Sequence, residues 1–168
     1  MILAPTLFFM FSMPLIIAAL KDASSMTIPN WISLVLIAGF FLMIPFTWQG
    51  LPDFGTHLAV GATFLAVGFA MFAFGWLGGG DAKLMAATAL WLTWPSALTF
   101  VIYTAMFGGA LALFLLVGRK FIPVRLMTSQ WMHTMFRDET KMPYGLAIAA
   151  AGICVLPKTT MFQAAIGI

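Results

Sequence analysis

The sequence predicts an all-α membrane protein of about six transmembrane helices with its N-terminus outside, and three observations lead there. First, 62% of the 168 residues are hydrophobic and 8% are charged, against roughly 25% charged in an ordinary soluble domain. Second, the apolar residues come in long continuous runs, not in the alternating segments of about ten residues that a membrane β-barrel strand requires. Third, the few cations sit in connections between runs, where they report the side of the membrane. A globule of this size has no interior for 17 Phe, 13 Met and 6 Trp, so 1–168 reads as a single integral-membrane domain. The net charge of +3 is then a topology signal and not a nucleic-acid footprint. The one cysteine, Cys154, excludes an internal disulfide and a Cys-rich zinc site. In its apolar run it reads as a small packing residue.

Ile2 to Leu20 carries no charge and is long enough to cross a bilayer. No Lys or Arg precedes it and no small-residue cleavage site follows, so it reads as a retained span. Lys21-Asp22 ends it, and 23–29 is a short polar connector. A residue before proline avoids the helical region, so Ile28-Pro29-Asn30 marks a new start, with Asn30 as N-cap. The second span runs from Trp31 to Phe46. Thr47 to His57, with Gly50, Pro52 and Asp53, reads as an exposed turn. Leu58 to Leu77 is the third span. Gly78-Gly79-Gly80 lets the chain turn, and the fourth span opens near Asp81. Its apolar part, Leu84 to Trp94, is short for a full crossing. Thr93 to Ser96 makes an outer turn, and Ala97 to Val117 is the fifth span. Arg119 to Met142 is polar, and within it Ile122 to Phe136 reads as an amphipathic piece on the surface, against anionic lipid. Pro143-Tyr144-Gly145 opens the last run, to Leu156. Met161 to Ile168 continues it as a kinked helix or folds back.

Cations fix the orientation. Lys21 follows the first span and Lys83 the third, while Arg119, Lys120, Arg125, Arg137 and Lys141 follow the fifth. The connections after the second and fourth spans have none. The first, third and fifth connections are therefore expected in the cytoplasm. Lys158, near an outer C-terminus, is the exception.

This topology brings two of the five acidic residues, Asp22 and Asp81, to the membrane boundary on one face. A carboxylate at that depth is costly and calls for a reason. Two carboxylates brought close share one proton, because both cannot ionise cheaply. The ionised member takes a proton from water, and the protonated one hydrogen-bonds a scissile carbonyl and later protonates the amine. That chemistry needs no metal or cofactor. Each residue also has a plain structural reading. Asp81 can be an N-cap, Asp22 a solvated turn residue beside Lys21, and Lys83 a lysine reaching lipid headgroups. Two other functions stay open at this point: a proton-coupled transporter or channel component using Asp81 and Lys83, and a noncatalytic assembly subunit. Against the transporter, no charge marks the midplane, where such sites lie.

At these residues the chain resembles the type IV prepilin peptidases, membrane aspartyl proteases of the GxGD class. The likeness rests on Asp22 followed by Ile28-Pro29-Asn30, on Gly78-Gly79-Gly80-Asp81-Ala82-Lys83, and on Pro143-Tyr144-Gly145, in that order. It implies that Asp22 and Asp81 are the catalytic pair, with Ile28, Pro29, Asn30, Gly78, Gly80, Lys83, Pro143, Tyr144 and Gly145 in support. It implies removal of a leader peptide from pilin precursors at the cytoplasmic face of the bacterial inner membrane. The precursor's apolar N-terminal helix would lie in the lipid beside the enzyme, with the pilus assembly machinery as a further partner. Larger members carry cytoplasmic Cys-x-x-Cys motifs and an N-methyltransferase activity. This chain has neither those cysteines nor that length, and is similar to the short peptidases of tight-adherence (Flp) pilus systems, so methylation is not assigned.

Overall fold

A computed structural model describes residues 2–121 and 142–167. Among them the chain forms α1 (Leu3–Ser25), α2 (Asn30–Met43, carried on to Phe46 by a 3-10 turn) and α3 (Leu51–Ala73). There follow α4 (Gly79–Ala89), α5 (Trp94–Phe121), α6 (Tyr144–Val155) and α7 (Thr160–Ile166). No strand occurs among the described residues. The all-α membrane class is as the sequence predicts.

The expected runs appear as helices in the expected order, but their lengths differ. Among the described residues, three helices, α1, α3 and residues 94–118 of α5, are long and apolar enough to cross a membrane. A fourth crossing is reached if α6 and α7, bent by 49°, count as one broken span. That bend follows Pro157 and the extended Thr159, so the last run is a kinked pair. α4, with 11 residues, rises only about 16 Å, roughly half of a hydrocarbon core of about 30 Å. Proline sets several boundaries, since it suits a first helical turn and stops what precedes it: Pro45, Pro52 and Pro157 each stand at one. For that reason the expected turn at 47–57 is largely helix. α3 starts at Leu51, with Asp53 in its first turn. The amphipathic piece expected at 122–136 lies outside the described residues.

The two short helices are at the centre. α4 packs on α3, α2 and α6, and α6 packs on α1, α5 and α4. Seven residues of α4 are buried, Asp81 among them. Just beyond α4, Trp91 is buried, touching the rings of Phe11 and Phe40 and donating its indole N–H to the Leu36 carbonyl at 3.1 Å. The neighbouring Leu90 carbonyl lies 3.1 Å from Nδ1 of His57 on α3, which must be the donor. His57 Nε2 lies 3.4 Å from both the Asp53 carboxylate and the Thr160 hydroxyl. This polar cluster ties α3, α4 and α7 together at one end of the bundle. The perimeter is apolar, with Phe9, Phe69, Leu113 and Phe114 more than half exposed, as suits a surface solvated by lipid. Cys154, expected to be a packing residue, is exposed on α6.

Candidate active site

Asp22 and Asp81 meet at the other end. Asp22 stands in the last turns of α1, which closes on Met26 in the left-handed conformation (φ 52°). Asp81 stands in the first turn of α4, behind Gly78 at the N-cap position. Both are buried, at 5% and 9% exposure. They line one cleft of about 240 Å³, walled by Met26, Thr27 and Ile28 on one side and by Gly78, Gly79 and Gly80 on the other. They are close enough for the charge of Asp22 to act on Asp81.

Among the described residues, each carboxylate is held by main chain, not by a cation. Asp22 Oδ2 accepts the Gly145 N–H at 2.7 Å, from the first turn of α6. This bond needs a glycine. A Cβ on Gly145 would lie 2.9 Å from Asp22 Oδ2 and 2.9 Å from Ile28 Cδ1, distances that force something to move. Asp81 accepts from the Gly78 N–H, the reach back to the N-cap that an acid in the first turn makes. Its Oδ1 is buried with no hydrogen-bond partner among the described residues. A buried carboxylate oxygen without a partner is costly, and here it belongs to a residue that lines the cleft.

Of the supporting residues, Ile28 fills the space between Gly80 and Gly145, so it spaces α4 from α6. Pro29 occupies the N-cap position of α2 and makes no side-chain cap. The cap expected of Asn30 is absent. Asn30 is instead the first helical residue, and its Oδ1 accepts from Lys83 Nζ at 3.0 Å. That bond joins α2 to α4 and occupies the ammonium with Asn30. Pro143 stands at the N-cap position of α6, Tyr144 begins the helix, and Gly145 supplies the N–H already described. Sequence reasoning missed Met26 and Thr27 as cleft walls. Nothing in the sequence marks Met26 for a left-handed backbone, which non-glycine residues rarely adopt.

A sequence model of the type IV leader peptidase family matches residues 9–113, a stretch that holds both acids. No curated protein and no solved structure matches the chain.

Proposed function

The chain belongs to the type IV leader peptidase family, and from that premise we propose that it is an aspartic endopeptidase in which Asp22 and Asp81 cut the leader from a pilin precursor. The observation that carries this reading is the shared cleft, with two buried carboxylates and an Asp81 oxygen that has no partner among the described residues. One carboxylate is ionised and removes a proton from water. The water oxygen bonds to the scissile carbonyl carbon while the other carboxyl donates its proton to the carbonyl oxygen. The tetrahedral intermediate then breaks its C–N bond, and the amine leaves with a proton returned by the pair. The Gly145 and Gly78 N–H groups keep the acids oriented without adding a positive charge that would hold both ionised.

The finer reading places the cleft at the cytoplasmic face of a bacterial inner membrane, with the N-terminus outside. It takes the pilin precursor as substrate and lipid and the pilus assembly machinery as neighbours, in a tight-adherence system. It assigns leader removal and no methylation of the new N-terminus. The sequence supports this through the cations after the first, third and fifth runs, and the likeness to short family members supports the rest.

The test is leader removal from a precursor by purified protein in lipid. Asp22→Asn and Asp81→Asn should each lower kcat/KM at least about 100-fold while the protein still inserts. The pH profile of the unaltered protein should be bell-shaped, because the active form holds one proton between two carboxyls. Acid removes the base, and alkali removes the donor. Full activity in either variant, or a flat profile, rejects the assignment.

A further inference from the structure

Two apolar grooves flank α4. The one between α2 and α3, about 430 Å³, carries the Lys83–Asn30 pair among its lining residues. The other lies between α3 and α5, measures about 530 Å³, and has Met85 of α4 and Tyr144 of α6 in its lining. α3 and α5 scarcely pack on one another, so the gap between them opens sideways to the lipid.

Four observations say what fills the second groove. It adjoins the cleft, since Met85 stands one turn beyond Asp81 and Tyr144 directly precedes Gly145, whose N–H holds Asp22. Its α5 wall is small: Ala105 and Gly109, then Gly108 and Ala112, are four-residue steps, the spacing that lets two helix backbones approach in a membrane. That wall is open at Gly109, where a Cβ would meet nothing within 4 Å among the described residues. Finally, Thr104, which also lines the groove, has a buried hydroxyl with no partner among the described residues. Thr63, Thr88 and Thr99 each bond the carbonyl four residues back. A buried hydroxyl left open calls for a polar partner from the occupant, which an acyl chain lacks and a peptide carbonyl or side chain supplies.

Resting on the peptidase reading above, we propose that the α3–α5 groove seats the apolar helix of the membrane-inserted substrate and delivers the chain leaving that helix to Asp22 and Asp81. The occupant is one apolar helix, entering sideways between α3 and α5 and lying against Gly109. The groove between α2 and α3 is not used for it.

The experiment compares two substrates of the full-length protein in liposomes. One is a precursor with its apolar helix, and the other is a soluble peptide spanning the same bond without that helix. Gly109→Leu and Ala105→Leu fill the groove, and the first replaces a poor helix former with a good one, so folding is not threatened. Both should lower kcat/KM for the precursor about 10-fold or more, through KM, as an obstructed packing surface would. The soluble peptide should be cut as before, and Ala62→Leu, in the other groove, should alter neither. An unchanged precursor rate, an equal fall for both substrates, or a loss confined to Ala62→Leu overturns the proposal. A photo-crosslinking residue at Val101 should capture the precursor helix, and capture of phospholipid alone overturns it too. If the unaltered protein cuts neither substrate, the peptidase reading fails, and the crosslink still decides the groove.

Discussion

Gly145 is where a single atom decides most. Its N–H reaches Asp22 at 2.7 Å only because no Cβ stands in the way. Gly145→Ala must push the start of α6 away from Asp22 and Ile28. It should lower kcat/KM at least about 10-fold, the scale of a charge-assisted hydrogen bond loosened in a buried site. Circular dichroism of the purified variant should still show a helical protein. Retained full activity would mean that Asp22 does not depend on this amide. The two acids themselves were legible in the sequence, because a carboxylate at a membrane boundary stands out in a chain with so few charges. Their grip was not. Gly145 was visible only as part of a motif, since a main-chain donor leaves no mark in residue chemistry. Asn30 misled for a related reason: a residue suited to capping was already engaged by Lys83.

Among the elements, α4 is the one whose stability comes from its surroundings. It is too short to be stable alone, and its far end is fixed by Trp91 and by the His57 contact to Leu90. Trp91→Phe keeps most of the apolar bulk and removes the indole donor to the Leu36 carbonyl, which inside α2 keeps its helical hydrogen bond. The expected cost is about 0.5–1.5 kcal/mol, read as a lower midpoint of thermal unfolding in detergent. Hydrogen exchange should quicken at α4 before α5, because α4 contacts its neighbours on almost every side and loses the shared anchor. An unchanged midpoint would show that the indole N–H contributes nothing. The order of these elements was readable from apolar runs and prolines. Their lengths were not, because burial against other helices relieves α4 and α6 of the requirement to span lipid. Hydropathy does not distinguish a helix wrapped by protein from one wrapped by acyl chains.

For the whole molecule, the two polar clusters occupy opposite ends, the acids at one and His57 with Asp53 and Thr160 at the other. In the proposed orientation, read from the cations, the acid end faces the cytoplasm. A single cysteine at Ser25, in a Cys154→Ala background, should then be shielded from a membrane-impermeant thiol reagent in intact cells. One at Trp48 should react. The reverse pattern would invert the orientation and remove the precursor's cleavage site from its expected side. The perimeter has a further consequence. α1, α3 and α5 offer lipid a full-length wall, but the flank made by α2 runs only from Asn30 to Phe46, with Leu34 and Leu42 well exposed. Acyl chains on that side must tilt or compress to meet a shorter surface, at a cost that grows with each ångström of mismatch. The annulus around this protein is therefore lopsided, and a thicker host bilayer strains one flank more than the rest.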